Sequence, residues 1–116
     1  MLKETDKKLP DCEVEITLMM MSERWRVLII RELLSGTKRF GELKKTLNGI
    51  SQKVLTANLR AMESQGLLTR KVYAEVPPRV EYTLTEDGIS LKSVLDAMAI
   101  WGESYRQKYQ DKQKER

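Results

Sequence analysis

The apolar residues change their period at Gly66. From Cys12 to that point they recur every three or four positions. Beyond it, Leu68, Arg70 and Val72 alternate with Thr69, Lys71 and Tyr73, and Val80, Tyr82 and Leu84 alternate with Glu81 and Thr83. A period of 3.6 belongs to helices and a period of two to strands. The chain must therefore fold as helices leading into a small β-ribbon. The connection between the two strands, Ala74-Glu75-Val76-Pro77-Pro78-Arg79, carries paired prolines. They remove backbone donors and fix φ, which predicts a stiff, protruding loop rather than a tight hairpin.

The helical half divides at its turn residues. Val14, Ile16, Leu18 and Met21 suggest a short first helix beginning near Cys12. Ser22 suits the N-cap of a second, with Glu23 in its first turn and Trp25, Leu28, Ile29 and Leu33 as its apolar stripe. Ser35-Gly36 ends that helix, and Thr37 to Arg39 form a short, extended connection. Phe40, Leu43 and Leu47 mark a third helix, closed by Asn48-Gly49, and Ser51 opens a fourth with Leu55, Leu59 and Met62 on one face and Gly66 as terminator. Two short helices across a tight turn are the pattern of a helix-turn-helix. After the ribbon, Thr85 caps a long last helix with Glu86 and Asp87 in its first turn. Leu91, Leu95 and Met98 form its inner stripe, joined by Val94, Trp101 and Tyr105. Residues 1–11 read as a flexible polar arm, 12–109 as one domain and 110–116 as a charged, solvated tail.

Composition removes several function classes. At 116 residues the chain has room for one ordinary domain. It contains no His, so Ser-His-Asp and Cys-His catalysis and zinc sites with His ligands each lack an essential part. Its single Cys can form neither an intrachain disulfide nor a Cys-only zinc site. The longest apolar runs, such as Val27 to Ile30, are far too short to span a bilayer. Lys3, Glu4, Asp6, Lys7 and Lys8 interrupt any signal-peptide apolar region. With no glycine-rich phosphate loop and no clustered acids either, the expectation is a cytoplasmic, non-enzymatic protein that needs no metal or cofactor. The net charge of +4 permits a polyanionic partner without requiring one.

Helices, a tight turn, a ribbon with a rigid tip and a long helix follow the order of a winged helix-turn-helix, mainly α with a small β-ribbon. Projected at 100° per residue, the fourth helix places Lys53, Thr56, Ala57, Arg60 and Ser64 opposite its apolar stripe, with Gln52 near the N-terminus. Gln pairs with adenine, Lys and Arg with guanine or phosphate, and Thr with a phosphate or a thymine methyl. No acid lies between Ser51 and Met62 to repel phosphate. The competing reading is an ordinary solvated face. Lys38, Arg39, Lys44, Lys45, Arg70 and Lys71 extend the positive bias. Arg79, at the wing tip, suits either a minor groove or flanking phosphate, or an ion pair with Glu75 or Glu81.

The terminal helices carry more apolar residues than one stripe needs. Val94, Ile100, Trp101, Tyr105 and Tyr109 spread around the last helix, and Val14, Ile16, Leu18, Met19, Met20 and Met21 around the first. They cover either the core of one subunit or a symmetry mate. A two-fold dimer would set two reading helices about 34 Å apart, one turn of duplex, and require an inverted-repeat operator.

Trp25 to Leu34 (WRVLIIRELL), Lys38 to Leu43 (KRFGEL), Gly49 to Leu59 (GISQKVLTANL) and Val76 to Leu84 (VPPRVEYTL) resemble the HxlR family of bacterial transcriptional regulators. Cys12 followed closely by Glu15, and Leu95 to Gly102 ending in Trp101-Gly102, fit as well, so the resemblance runs from about Cys12 to Tyr105. It implies a homodimeric winged-helix repressor or activator that binds a palindromic operator in double-stranded DNA at the bacterial nucleoid. The implied DNA-binding positions are Gln52, Lys53, Thr56 and Arg60 on the reading helix and Arg79 in the wing, to which the charge pattern adds Lys38 and Arg39 and the start of the fourth helix adds Ser51. The expected dimer contacts are Ile16, Met20, Leu95, Met98, Trp101 and Tyr105. The resemblance also makes Cys12 a candidate sensor of electrophiles or oxidants. A helix N-terminus favours a thiolate while Glu13 and Glu15 oppose it, and a lone Cys also serves as a small buried hydrophobe. A small-molecule effector is compatible with this assignment. The alternative function is a winged-helix protein–protein docking module without DNA binding.

Overall fold

The structure, a computed structural model, describes residues 9–114. The arm expected over 1–11 lies largely outside the described residues, as do the last two residues of the tail. Element order is α1 (Glu13–Met20), α2 (Arg24–Leu33), β1 (Lys38–Arg39), α3 (Phe40–Thr46), α4 (Gln52–Ser64), β2 (Leu68–Tyr73), β3 (Arg79–Leu84), α5 (Glu86–Ser90) and α6 (Lys92–Lys114). The strands form one antiparallel sheet in the order β1-β3-β2, so the extended connection before α3 becomes a third strand. Its pairs are Lys38 with Tyr82 and Arg39 with Glu81. On the other side of β3, register runs from Leu68 opposite Leu84 to Tyr73 opposite Arg79. The fold is a winged helix: mainly helical, with the β2–β3 ribbon as the wing.

Turn chemistry places most boundaries. Gly36, Gly49 and Gly66 all have positive φ, at 136°, 93° and 77°, conformations that a residue with a Cβ adopts only under strain. Gly49, with two residues on either side of it, carries the chain from α3 into α4. Ser51 then caps α4 by accepting a hydrogen bond from the Val54 amide at 3.1 Å. Glu42 closes the entry of α3, its carboxylate accepting from the Arg39 amide at 2.8 Å.

The core joins Ile29, Ile30 and Leu33 of α2 to Leu43, Leu47 and Ile50 around α3, to Leu55, Leu59 and Met62 of α4, and to Leu67, Leu68, Tyr82 and Leu84 of the sheet. Three sequence expectations shift here. Ser22 does not cap α2. Glu23, in an extended conformation, takes that place without a side-chain cap, so the acid expected in the first turn lies outside the helix. Ile30 enters the core, whereas Trp25 and Leu28 only pack against its edge. The single long last helix is two. Thr85 caps α5, accepting from the Gly88 amide at 3.2 Å. The Ser90 hydroxyl then donates to the Asp87 carbonyl at 2.6 Å and the Ser93 hydroxyl to the Ser90 carbonyl at 3.3 Å. Hydroxyls that engage main-chain carbonyls compete with helix continuation, and the axis is interrupted at Leu91.

The expected inner stripe of the last helix is accordingly only partly inner. Leu91, Val94 and Leu95 pack against the core, while Met98, Trp101 and Tyr105 are exposed. The radius of gyration is 16.9 Å, against about 13 Å for a compact chain of 100 residues. A helix the length of α6, roughly 35 Å at 1.5 Å per residue, accounts for the excess by projecting beyond the body. It continues to Lys114, so the charged tail read from Gln110 begins as helix.

Candidate nucleic-acid interface

Helix α4 is held by Leu55, Leu59 and Met62 and turns its other face outward. Gln52, Lys53, Ala57 and Arg60 are exposed and Thr56 is half-buried. These five residues line one open, shallow surface. The first turn contains no acid, leaving the positive end of the helix dipole uncompensated by the chain itself. Ser51 accepts the capping hydrogen bond through its oxygen, which leaves its O–H free to donate outward.

Between α4 and the sheet runs a groove of about 370 Å³ whose walls include Gln52, Thr56 and Arg60 from the helix and Phe40, Arg70, Val80 and Tyr82 from the other side. Phe40 and Val80 also border a second cleft, which brings Arg39 and Lys45 next to the wing tip, Glu75 to Arg79. The α4 face, the groove and the wing are therefore contiguous. Lys38 stands apart from both clefts, half-buried opposite Tyr82. Arg70 and Phe40, which wall the groove, were not among the expected interface positions. Arg70 shows as part of a charge bias in the sequence, but only the fold turns it toward α4.

Of the two readings for Arg79, the ion pair is present. Its guanidinium lies 3.0 Å from the Glu75 carboxylate and 3.7 Å from that of Glu81, and stacks 3.9 Å above the Tyr73 ring. This closes the loop that the prolines stiffen and leaves Val76 fully exposed at its tip. Lys71 stacks on the same ring at 5.0 Å, so at the tip end of the wing two cations flank one aromatic side chain.

At the opposite end, the six residues expected at a dimer contact separate into two groups. Met20 and Leu95 pack in part on the core, and Ile16 is half-buried. Met98, Trp101 and Tyr105 are 51%, 68% and 59% exposed. Trp101 and Tyr105 stack on one another, with centroids 5.3 Å apart. Cys12 is a free, exposed thiol at the N-cap of α1. Its carbonyl accepts from the Ile16 amide at 3.1 Å, and its side chain makes no cap hydrogen bond. The buried-hydrophobe reading of this cysteine does not hold. Among the described residues no cluster of potential ligands could hold a metal, and no helix is long and apolar enough to cross a membrane.

Known proteins share this fold. An HTH-type transcriptional regulator of Methanothermobacter thermautotrophicus is 45% identical over 94 residues, 81% of this chain and 72% of the relative. The HTH-type transcriptional regulator YtcD of Bacillus subtilis is 42% identical over 100 residues, 86% of this chain and 79% of YtcD. Among solved structures, the redox regulator HypR in its reduced form superimposes with a TM-score of 0.79 at 38% identity, covering 86% of this chain and 99% of that one. Quinone-bound YodB from B. subtilis superimposes with a TM-score of 0.69 at 35% identity, covering 79% and 97%. Residues 20–110 match the HxlR-like helix-turn-helix model, and with the α4 surface and these relatives in view, the chain belongs to that family of DNA-binding transcriptional regulators, not to an enzyme family.

Proposed function

We propose that the protein acts as a homodimer on an inverted-repeat operator, one α4 entering the major groove of each half-site. The observation that carries this reading is the outward face of α4: Gln52, Lys53, Thr56 and Arg60 on a Ser51-capped helix with no acid in its first turn. Arg39 of β1 lines the adjoining cleft with the wing tip, Lys38 precedes it on the same strand, and Arg79 shapes the wing. Such a regulator works in the cytoplasm, on the nucleoid.

Selection of bound duplexes from a random pool, followed by salt titration of the recovered sequence, tests the assignment. Each phosphate contact contributes about 0.9 to the slope of log K against log salt, and each good base contact about 1–3 kcal/mol of discrimination. The variant carrying Lys53→Ala and Arg60→Ala is expected to bind at least about tenfold more weakly while keeping its thermal midpoint. Where a side chain meets phosphate the slope falls, and where it meets a base the sequence preference relaxes. A folded double variant with the parent's affinity and slope would overturn the reading in favour of a docking module.

The exposed thiol of Cys12 supports a second element of the proposal, a response to electrophiles. Addition of this thiol to a ring carbon of p-benzoquinone forms one S–C bond. The thiol proton and the displaced ring hydrogen end on the two quinone oxygens, giving a hydroquinone thioether. Alkylated parent is expected to change operator affinity by roughly five- to 150-fold, the usual size of an allosteric coupling, and Cys12→Ser to be unresponsive. Complete alkylation with unchanged affinity would remove the sensor role.

A further inference from the structure

Arg26 belongs to α2 and touches none of the surfaces described above, yet its side chain joins three places on two other helices. Nε donates to Asn58 Oδ1 at 3.2 Å. Nη1 donates to the Met19 carbonyl at 3.1 Å and to Gln65 Oε1 at 3.0 Å. Asn58 is 5% exposed and donates in turn from Nδ2 to the Val54 carbonyl at 2.9 Å. Gln65 is the C-cap of α4. Met19 sits in the last turn of α1, where carbonyls have no partner within the helix and a cation suits the dipole.

We propose that Arg26 is the positioning residue that sets the angle of α4 against α1, and so the half-site spacing the dimer accepts. The proposal rests on the reading of α4 as the DNA-reading helix and of α1 as part of the two-fold contact. Apolar packing through Leu55, Leu59 and Met62 is non-directional, and such cores lose uniqueness before they lose stability. A guanidinium is a planar fork with donors in fixed directions. Asn58 and Gln65 are seven positions apart, about 10 Å along the helix axis at 1.5 Å per residue, so Arg26 pins α4 at two points and α1 at a third. The lever is long enough to matter. With reading helices about 34 Å apart, each acts at roughly 17 Å from the two-fold axis. A turn of about 10° then moves the helix roughly 3 Å, close to the 3.4 Å rise of one base pair.

The test uses the full chain and duplexes carrying two copies of the selected half-site, their centres moved by one or two base pairs in either direction. The parent is expected to prefer one spacing by about tenfold or more over its neighbours, the scale of a mismatched base pair. Arg26→Met alone would orphan Asn58, so it is combined with Asn58→Leu, which removes both partners. That double variant is expected to keep the base preference of the half-site and the salt slope while its preference among spacings falls below about threefold. Arg26→Lys keeps a cation near the Met19 carbonyl but lacks the fork, and is expected to broaden the profile to an intermediate extent. A merely structural role would lower affinity equally at every spacing. Parental spacing profiles in both variants would overturn the proposal, whereas a parent that binds no duplex at all would overturn the reading of α4 on which it rests.

Discussion

Replacing Trp101 and Tyr105 together by Glu is expected to give a folded monomer whose operator affinity is lower by about a hundredfold or more, the gain that joining two binding modules ordinarily supplies. Beyond Leu95, α6 presents Met98, Ile100, Trp101, Tyr105 and Tyr109 to solvent, and α1 adds Val14 and Leu18. Each aromatic side chain offers roughly 150–250 Å² for burial, and apolar surface returns about 25 cal/mol per Å² when removed from water. A stacked Trp–Tyr pair one helical turn apart is therefore the strongest anchor on this surface. Neither ring reaches the subunit's own core, so two carboxylates there leave the winged helix intact and oppose only the approach of a second copy. Sedimentation or light scattering reads the mass, and fluorescence anisotropy with the selected operator reads the affinity. A variant that stays dimeric with parental affinity would place the two-fold contact elsewhere.

This surface was visible in the sequence as an excess: more apolar residues around the last helix than one stripe requires. The same reasoning explains why α4 was legible. Its cap, its buried face and its outward face all follow from local chemistry, namely Ser51 after Gly49 and Leu55, Leu59 and Met62 at helical spacing. The strand alternation likewise gave the wing, while its register comes from the fold. What local chemistry cannot decide is which of two adjacent phases a neighbour will cover. Trp25 and Ile30 lie about 140° apart around α2 at 100° per residue, and tertiary packing draws Ile30 into the core while Trp25 stays at its edge. Ser22 and Glu23 differ by one position in where the helix begins, a choice made by the path of the chain out of α1. Lys38 and Arg39 look like a linker because a two-residue strand has no period of its own.

The candidate site shows the same division. Its outward residues were legible because exposed faces are read by subtraction from the core. Its internal supports were not. Asn58 falls on the apolar stripe between Leu55 and Met62, and a polar residue in that phase is a signal that a donor must meet it. Identifying the donor as Arg26 requires knowing that α2 crosses α4. Arg79 illustrates the limit differently: its sequence neighbours Glu75 and Glu81 offered an ion pair, its place beside the prolines offered DNA, and only the loop's closure brings both carboxylates onto it.

Gly88→Ala is expected to remove about 3 kcal/mol or more of stability, at or beyond the upper end for overpacked sites, and to lower the thermal midpoint by roughly 10–20 °C. Read as a sequence, Gly88 is merely a weak residue in a helix. In the fold, a Cβ on it would lie 2.1 Å from the Leu67 carbonyl oxygen and 2.9 Å from Leu84 Cδ2. The Leu84 methyl can rotate away, but the carbonyl cannot, because it accepts from the Thr85 amide at 3.0 Å. Nor can α5 retreat freely, since the Thr85 hydroxyl donates to the Gly66 carbonyl at 2.6 Å while accepting from the Gly88 amide. Pushing Leu67 instead strains its amide bond to the Met62 carbonyl, 2.9 Å away at the end of the α4 buried face. Every route of relief thus loosens either the wing or α4. Gly41→Ala is the matched control: nothing lies within 4 Å of a Cβ there, and a helical Gly→Ala exchange is expected to be stabilising by about 0.5–1 kcal/mol. Urea unfolding of both variants beside the parent settles the matter. A Gly88→Ala midpoint equal to the parent's would mean that the α5–Leu67 contact is looser than its geometry, and that the wing is not clamped to α4 through this glycine.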